Sequence, residues 1–257
     1  MTKKIVAIAG GSIGRTYPYE TEIFDKEIVS LTNKSDPKLL FIGTASNDDI
    51  GYFEIVDKVF SKIGCSCKRL AISNAYSKEE LEEIILNQDI IYVGGGNTKM
   101  MMRIWRDSGV DQYLKQAYEK GTIMCGVSAG AICWFEMGSS DSLRIEENNP
   151  DAPLIKVTGL GFCKALFAPH CDSVKGHPEN VKRILENENL VGLSLSNCCA
   201  VEIIDDTYRL IVADASNYDI EPYGIKSYWR DGEYIKESII IDTKFKDLRQ
   251  LLLKGGK

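Results

Sequence analysis

Residues Gly121 to Phe135 read GTIMCGVSAGAICWF, and the rest of the chain is best understood from this stretch. The segment Thr122 to Gly126 is short and mostly apolar, which is typical of a strand buried in a sheet. It runs directly into Val127-Ser128-Ala129-Gly130, and an apolar run of helical character follows. A sharp turn from strand to helix tolerates only small neighbours and exposes its serine at the sheet's C-terminal edge. Ser128 is therefore either a nucleophile held on such a turn or an ordinary helix N-cap.

Strands and helices alternate without a break on the N-terminal side of this turn. The segments that indicate strands are Lys3 to Ala9, which is apolar enough to be covered on both faces, Lys38 to Thr44, Cys67 to Ile72 and Asp89 to Val93. Helical spacing is found in Glu20 to Thr32, Tyr52 to Ile63, the run from a capping box at Ser77 to Leu86, Met100 to Trp105 and Val110 to Tyr118. This alternation predicts a three-layer α/β/α fold with a mostly parallel central sheet. Since parallel strands end at one edge, Gly94-Gly95-Gly96 after the fourth strand should lie near Ser128.

The pattern is less regular after the turn. We expect Gly138 to Pro153, which includes the polar run DSLRIEENNP, to form a surface loop that could overhang the site. Short strands are expected at Leu166 to Ala168, Val191 to Leu195, Ala200 to Ile204 and Tyr208 to Val212, the last two joined as a hairpin. Helices are expected at Pro178 to Glu186 and Phe245 to Leu253, and a small antiparallel C-terminal extension at Tyr228-Trp229 and Tyr234 to Ile241. We interpret residues 1–257 as one domain, with a core over about 3–212 and an elaboration over about 213–257.

Composition and charge exclude several classes of protein. The chain has a net charge of -6 and a pI of about 5.2, so the basic footprint of a nucleic-acid binder is missing. The apolar run at the N-terminus ends at Gly10-Gly11, too early for a signal peptide or a membrane span, and no later run is long enough. We therefore expect a cytoplasmic monomer or homodimer that does not bind a membrane. Eight cysteines without C-x-x-C spacing and two histidines predict reduced thiols and no metal or other cofactor.

A serine hydroxyl needs a base within hydrogen-bond reach to act as a nucleophile, and histidine is the usual one. The chain offers His170, in Pro169-His170-Cys171-Asp172 after a short apolar strand, and His177, in a polar run before a helix. A residue at the end of a strand is better fixed for catalysis, so we favour His170. The ordinary alternative is a loop histidine that is satisfied by backbone groups.

Acyl transfer also requires hydrogen-bond donors for the oxyanion. The amide that follows the nucleophile, that of Ala129, is one donor by geometry. The second is expected from Gly95 or Gly96, where the missing side chains let the backbone approach a substrate. The alternative is that this glycine run is a tight turn with Asn97 as the cap of the next helix. The earlier glycine turn at Gly10 lacks the full G-x-G-x-x-G pattern, which disfavours dinucleotide binding.

Taken together, these residues resemble the peptidase E family of serine peptidases, peptidase family S51, which includes aspartyl dipeptidases and cyanophycinases. The matching segments are Tyr92-Val93-Gly94-Gly95-Gly96-Asn97-Thr98, Gly126-Val127-Ser128-Ala129-Gly130-Ala131-Ile132-Cys133-Trp134, Gly159-Leu160-Gly161 and Pro169-His170-Cys171-Asp172. The resemblance implies a flavodoxin-like fold related to class I glutamine amidotransferases and the hydrolysis of small peptides without metal. It implies Ser128 as the nucleophile, His170 as the base, and the amides of Gly96, or Gly95, and Ala129 as the oxyanion hole.

Two departures from the family pattern affect the expected site. Where the family usually has an acidic residue that orients the histidine, this chain has Ser196 and Asn197. Asn197 or Ser196 could hold the imidazole, and Asp172, Asp141 or Glu202 could supply the charge, although Glu202 is expected on the surface. Relatives often carry paired arginines after the histidine, and here Lys182 or Arg183, together with Asn97, are the candidates for substrate binding.

The sequence thus supports two functions of different classes. One is a serine peptidase that forms an acyl-enzyme on Ser128. The other is a binding or regulatory protein of the same fold whose catalysis is weakened or lost because the triad acid is replaced. An amidotransferase-like or nucleotide-binding protein is a third possibility, and the missing elbow cysteine and missing dinucleotide fingerprint argue against it.

Overall fold

The computed structural model describes residues 1–15 and 19–255, and its strands form two β-sheets. The strands are β1 (Lys4–Ile8), β2 (Lys38–Ile42), β3 (Ser66–Leu70), β4 (Ile90–Val93), β5 (Ile123–Val127), β6 (Phe135–Ser140), β7 (Ile155–Thr158), β8 (Cys163–Ala168), β9 (Gly192–Leu195), β10 (Cys199–Ile204), β11 (Thr207–Val212), β12 (Gly224–Arg230), β13 (Glu233–Ser238) and β14 (Lys246–Asp247). The α-helices are α1 (Glu22–Ser30), α2 (Ile50–Lys62), α3 (Lys78–Leu86), α4 (Thr98–Ser108), α5 (Val110–Glu119), α6 (Ala129–Ile132), α7 (Ser142–Glu146), α8 (His177–Leu185) and α9 (Leu248–Leu252).

The first sheet has the strand order β14-β11-β10-β1-β5-β4-β2-β3. Strands β1 to β5 pair in parallel, as predicted, whereas β10, β11 and β14 are antiparallel to their neighbours. The prediction of a mostly parallel central sheet is therefore wrong, because the sheet is mixed. The reason lies in where the chain returns: the Cys198 amide donates to the Gly10 carbonyl at 2.9 Å, at the carboxyl end of β1. A strand that begins at this end can only run antiparallel to β1.

The second sheet has the order β13-β12-β9-β8-β6-β7 and was not predicted. Strands β12 and β13 belong to it, since β12 pairs with β9, so they are more than a C-terminal extension. The loop predicted over Gly138 to Pro153 contains the end of β6, all of α7 and then the start of the turn to β7. Hydrophobic periodicity misses β6 because Ser139 and Ser140 are buried by hydrogen bonding, to His177 and Ser142 respectively.

Most local predictions in the N-terminal half are confirmed, and the ends of the predicted strands there lie within two residues of the observed ones. The capping box before α3 is present: Ser77 Oγ accepts the Glu80 amide at 3.1 Å and the Glu80 carboxylate accepts the Ser77 amide at 2.7 Å. Strands β10 and β11 form the predicted hairpin. The helix after Ser128 is much shorter than its apolar sequence suggests, because α6 ends after one turn and β6 follows.

Apolar packing on both faces of the first sheet fixes the edge at which the site lies. Phe24 of α1 and Phe60 of α2 belong to one buried cluster, and Trp105 of α4 and Leu114 of α5 belong to the other. The second cluster also contains Phe167 of β8, so the second sheet shares that core. The carboxyl ends of β1, β4 and β5 are thereby held side by side. Among the described residues, no helix combines the length and the apolar character needed to cross a bilayer.

Candidate active site

Ser128 occupies a strained turn between β5 and α6. Its backbone has φ 56° and ψ −112°, and its amide donates to the Ile8 carbonyl of β1 at 3.0 Å. A non-glycine residue in this conformation costs on the order of 1–3 kcal/mol and persists only where the surroundings enforce it. The Ser128 side chain makes no capping hydrogen bond to α6, so the N-cap alternative does not describe it. The Ser128 hydroxyl therefore remains free to contact a molecule bound in the adjacent pocket.

That pocket has a volume of about 310 Å³ and opens at the carboxyl ends of β1, β4 and β5. It contains both Ser128 and His170, as the sequence predicts. Within residues 1–15 and 19–255, no hydrogen bond joins the Ser128 hydroxyl to the imidazole. Such contacts are often long before substrate binds and shorten in the complex. The residues that line the pocket are Gly11, Ser12, Ile13, Arg15, Ser46, Tyr52, Gly95, Val127, Ser128 and His170.

The Nδ1 side of the His170 imidazole is hydrogen-bonded to a buried side-chain amide. His170 Nδ1 lies 2.7 Å from Oδ1 of Asn197, which is only 3% exposed. The Asn197 Nδ2 donates to the Asp172 Oδ2 and to the Ser173 Oγ, both at 2.9 Å. The Asn197 backbone amide also donates to the Asp172 Oδ1, at 2.6 Å. His170, Asn197 and Asp172 therefore form one hydrogen-bonded chain.

The direction of this chain sets the tautomer of His170. A carboxylate only accepts hydrogen bonds, so Asp172 must face the NH₂ group of Asn197 and not its carbonyl oxygen. The Oδ1 of Asn197 then faces His170, and the Nδ1 of the ring must carry the proton that this oxygen accepts. The Nε2 of His170 is left with a free lone pair, as a general base requires.

The other candidates to replace the triad acid make their contacts away from His170. Ser196 is buried, donates to the Asn197 carbonyl at 3.0 Å and accepts the Tyr223 amide at 2.9 Å, so it does not contact His170. Asp141 lies at the start of α7, where its carbonyl accepts the Arg144 amide. The expectation that Glu202 lies on the surface is wrong, because it is fully buried in β10 and paired with Arg209.

Two of the predicted oxyanion donors, Gly95 and Ala129, lie next to Ser128, and the Gly95 amide has an unexpected partner. A Cβ placed on Gly95 would lie 3.4 Å from the Ser128 Cβ, so the glycine run passes directly beside the serine. The Gly95 amide donates to the Tyr52 hydroxyl at 3.2 Å. The amides of Gly96 and Ala129 donate to no other residue in the described part of the chain. Gly96 is required here because φ is +135° and a Cβ would lie 2.2 Å from the Ala45 carbonyl.

The predicted substrate-binding residues lie away from the pocket. Asn97 caps α4 by accepting the Met100 amide at 2.9 Å, and its Nδ2 donates to Glu146, as the alternative interpretation of the glycine run proposed. Arg183 donates to Asn180 in a different depression. The Lys182 ammonium lies 5.5 Å from the centroid of the Trp229 ring. Among the described residues, the Lys or Arg side chain that lines the pocket is Arg15, whose guanidinium lies 5.7 Å from the centroid of the Tyr52 ring.

The alternative base, His177, is buried in a separate polar cluster. Its Nδ1 lies 2.8 Å from the Ser139 hydroxyl, and Ser139 also accepts a hydrogen bond from Asn180. Burial, followed by the charges of His170 and Arg144, lowers the pKa of His177 to about 4. His177 is not among the residues that line the Ser128 pocket.

Sequence reasoning missed Gly10, which supports the base directly. A Cβ at this position would lie 1.9 Å from the Asn197 Oδ1 and 2.4 Å from the His170 Nδ1. The turn after β1 therefore packs against the hydrogen bond between these two side chains. The only signal in the sequence was a glycine at the end of the first strand, which also fits a phosphate-binding turn.

No metal centre is formed by the part of the chain that the structure describes. Within it, no three His, Cys, Asp or Glu side chains come together in a way that could hold an ion. The eight cysteines have free thiols. Burial raises the pKa of Cys171, beside the base, to about 12.

Comparison with solved structures relates the fold to peptidases. A crystal structure of a peptidase from an acI-B1 Actinobacterium superposes with a TM-score of 0.68 at 16% identity, covering 96% of this chain and 97% of that one. A putative peptidase E protein from Listeria monocytogenes EGD-e gives a TM-score of 0.60 at 18% identity, covering 83% of this chain and 100% of that one. At these identities the similarity establishes the fold.

Comparison of sequences establishes the family. The uncharacterized peptidase YgaJ of Bacillus subtilis (strain 168) is 31% identical over 215 residues, which are 83% of this chain and 89% of YgaJ. The uncharacterized peptidase PM1590 of Pasteurella multocida (strain Pm70) is 26% identical over 152 residues, which are 58% of this chain and 72% of that protein. Fold and sequence place the chain among the peptidases, a class of hydrolases. The profile of peptidase family S51 matches residues 5–211, and the chain belongs to this family.

Proposed function

We propose that this protein is a serine peptidase that cleaves small peptides through an acyl-enzyme on Ser128. The observation that carries the proposal is the hydrogen-bonded chain from Asp172 through Asn197 to His170, which ends at the pocket of Ser128. In the proposed reaction the Ser128 Oγ attacks the scissile carbonyl, and its proton passes to the His170 Nε2. The imidazolium then gives that proton to the leaving amine, and water hydrolyses the ester.

The replacement of the triad acid by Asn197 need not abolish this chemistry. In other serine proteases, an asparagine in place of the acid lowers kcat by about 10⁴-fold because the imidazole takes the wrong tautomer. Here Asp172 turns the Asn197 amide so that an oxygen faces the ring, which favours the productive tautomer. The Asp172 carboxylate is separated from the imidazole by the Asn197 side chain. It therefore stabilises the imidazolium less than a carboxylate in direct contact would.

A substrate with a carboxylate near the scissile bond fits this pocket best. Arg15 lines the pocket and, within residues 1–15 and 19–255, forms no salt bridge, so its guanidinium is available to a bound anion. The pocket is also small, at about 310 Å³, which favours short peptides. We therefore propose peptides with an acidic N-terminal residue as preferred substrates.

The experiment compares wild type with Ser128→Ala on dipeptides that carry acidic or neutral N-terminal residues. A fluorophosphonate probe should add to Ser128 of the wild type, as measured by peptide mass spectrometry. Ser61→Ala, on the exposed face of α2, is the matched control and should retain both activities. A folded wild type that neither turns over any peptide nor reacts with the probe would refute the proposal.

The second candidate function is a binding or regulatory protein with little or no catalysis. It is favoured by one observation, that the group contacting His170 is a neutral amide and not a carboxylate. Under this alternative, peptides bind in a calorimetric titration, and Ser128→Ala binds them as well as wild type does. Turnover that disappears in Ser128→Ala would eliminate it.

A further inference from the structure

We propose that Tyr52 is a catalytic residue whose hydroxyl donates a hydrogen bond to the oxyanion formed during acylation of Ser128. The inference rests on the proposed peptidase function and assigns to it a donor that the glycine run does not supply. Tyr52 lines the same pocket as Ser128 and His170.

The position of the hydroxyl is fixed relative to the nucleophile. Tyr52 Oη accepts the Gly95 amide at 3.2 Å, and a Cβ on Gly95 would lie 3.4 Å from the Ser128 Cβ. The phenol therefore reaches the segment that passes beside the serine. Because the Gly95 amide donates to Tyr52, it does not point a free N–H at substrate in this structure, and the Tyr52 hydroxyl lies 3.2 Å from the amide that was expected to be the donor.

The hydrogen-bonding inventory of the phenol leaves one proton unused. A tyrosine hydroxyl has one donor and accepts through its lone pairs. The Gly95 amide occupies the acceptor side, and no residue in the described part of the chain accepts the Tyr52 proton. A donor that enters Oη also polarises the O–H bond, which strengthens its outgoing hydrogen bond.

The phenol remains a donor across the working pH range. Burial raises the pKa of Tyr52 above its ordinary value. The Gly95 hydrogen bond and the positive charge of Arg15 oppose this shift, and Asp25 adds to it. These opposing effects are smaller than the effect of burial, so the hydroxyl keeps its proton at neutral pH.

The ring is held rigidly, as catalysis by a preorganised donor requires. The backbone amide of Tyr52 donates to the Asp49 side chain, the N-cap of α2, at 2.7 Å. The ring packs edge-on against Phe41, with 5.1 Å between centroids. Gly94 makes room for it, since a Cβ there would lie 2.8 Å from the Tyr52 Cε1.

The proposed step balances without any further reactant. The Ser128 oxygen forms a bond to the carbonyl carbon, its proton moves to the His170 Nε2, and the π electron pair moves onto the carbonyl oxygen. The resulting oxyanion accepts hydrogen bonds from the Tyr52 hydroxyl and the free backbone amides, and no proton leaves Tyr52. When the tetrahedral intermediate collapses, the pair returns, the carbon–nitrogen bond breaks, and the amine takes the proton from His170.

The test is the variant Tyr52→Phe, which keeps the ring and removes the hydroxyl. The matched control is Tyr92→Phe, since Tyr92 is a second buried phenol stacked on Phe41 whose hydroxyl has no partner among the described residues. Acylation is followed by release of p-nitrophenolate from p-nitrophenyl acetate, and kcat and KM are measured on the best dipeptide. We expect Tyr52→Phe to lower the acylation rate and kcat by about 10²–10³-fold, the effect of losing one oxyanion donor, with little change in KM. Tyr92→Phe should match wild type.

A purely structural role for Tyr52, bracing Gly95, is separated by a fluorinated tyrosine at position 52. Fluorination lowers the pKa of the phenol but leaves an oxygen that still accepts the Gly95 amide. If the hydroxyl donates to the oxyanion, kcat must fall as the pH rises through the lowered phenol pKa, because a phenolate cannot donate. If Tyr52 only positions Gly95, the fluorotyrosine variant should keep its kcat as the pH rises, and that result would overturn the inference.

Failure of this inference is distinct from failure of the proposed function. A wild type that is acylated while Tyr52→Phe is acylated equally fast would refute the role of Tyr52 and leave the peptidase proposal standing. A wild type that shows no acylation by the ester or by the fluorophosphonate probe would refute both.

Discussion

The two residues proposed to react both have a positive φ angle. Ser128 has φ 56° and His170 has φ 52°, both in the left-handed region that L-residues generally avoid. Neither residue is glycine, so each must retain a side chain despite the steric cost. Strain of this kind is concentrated at functional sites, where geometry is maintained at the expense of stability.

Ser128→Gly should therefore be more stable than Ser128→Ala. Glycine tolerates positive φ, whereas alanine keeps the Cβ, so we expect the free energy of unfolding to differ by about 1 kcal/mol in favour of glycine. Urea denaturation measures this difference, and both variants should be inactive.

The same pair of substitutions at Ser61, inside α2, is the control for the intrinsic effect of glycine. There, in the last turn of α2, Ser61→Gly should be less stable than Ser61→Ala, because glycine is a poorer helix former than alanine. If glycine destabilises the protein at position 128 as well, the turn is not strained in the manner described.

Arg15 should determine the preference for acidic peptides. A hydrogen bond to a charged group contributes about 1.5–3 kcal/mol, so Arg15→Gln should raise KM for dipeptides with an acidic N-terminal residue by about tenfold or more. The KM for neutral dipeptides should change little. Steady-state kinetics on matched substrates measure the difference.

Arg183→Gln provides the control, since Arg183 is one of the two cations that the sequence offered for substrate binding and it lies in a different depression. Equal effects of the two substitutions on acidic peptides would contradict the assignment of Arg15.

At the scale of the elements, the turns that follow parallel strands assemble the site. Gly10 follows β1, Gly95 follows β4 and Ser128 follows β5. Helix α6, which begins after Ser128, has only four residues, so it carries little of the dipole that a longer helix would direct at an anion. Stabilisation of negative charge in this pocket therefore depends on individual N–H and O–H groups.

Gly10→Ala should impair catalysis with little loss of folded protein. The added methyl group would lie 1.9 Å from the Asn197 Oδ1, so the hydrogen bond from His170 must lengthen or break. We expect kcat to fall by at least about tenfold, since a misplacement of 1 Å can cost 10²-fold. Kinetics and circular dichroism together measure the effect.

Gly232→Ala, in the turn between β12 and β13, is the control, because no described atom beyond its chain neighbours lies within 4 Å of the added Cβ and its φ of +82° penalises alanine without any contact to the site. An active Gly10→Ala variant would show that His170 does not depend on its contact with Asn197.

For the whole molecule, the sequence was informative where a strand pattern is followed directly by residues with catalytic side chains or by glycine. Strands β1, β2, β4 and β5 follow from buried apolar runs that end in glycine or serine, and the more exposed β3 follows from its place in the alternation of strands and helices. The placement of Ser128 and His170 in one pocket follows from their positions after strands. Four strands of the second sheet were expected, but a strand pattern does not show which strands pair, and the buried Ser139 and Ser140 hid β6. Arg15 and Tyr52 also carried no local signal, since only the folded chain brings a loop and a helix start to the same pocket.

Two buried groups make stability depend on pH in opposite directions. The pKa of His177 is lowered to about 4, so the unfolded chain takes up a proton between pH 6.5 and 4 that the folded chain does not, and stability falls as pH falls through this window. Burial raises the pKa of Asp25 to about 8, so the folded chain retains a proton that the unfolded chain releases above pH 4. Asp25 therefore lowers stability as pH rises.

Single substitutions should expose each contribution. His177→Asn leaves Asp25 unopposed, so the free energy of unfolding should fall as pH rises from 4 to 6.5, whereas Asp25→Asn should make it fall as pH drops through the same window. Each full contribution is one proton, about 1.4 kcal/mol per pH unit. Urea titrations at several pH values measure these slopes. Variants with the same pH dependence as wild type would show that neither group is protonated as described.

The return of the chain to the end of β1 has a consequence for the order in which the protein becomes active. Asn197 stands between β9, whose Leu195 carbonyl accepts the Cys171 amide at 3.0 Å, and β10, which pairs with β1 across almost the whole of the family match. Such high contact order is slow to form and depends on nearly the entire chain. A polypeptide without residues 195–204 can already place its serine on the turn after β5 but lacks the amide that supports the proposed base, so we expect catalytic competence to arise late in folding.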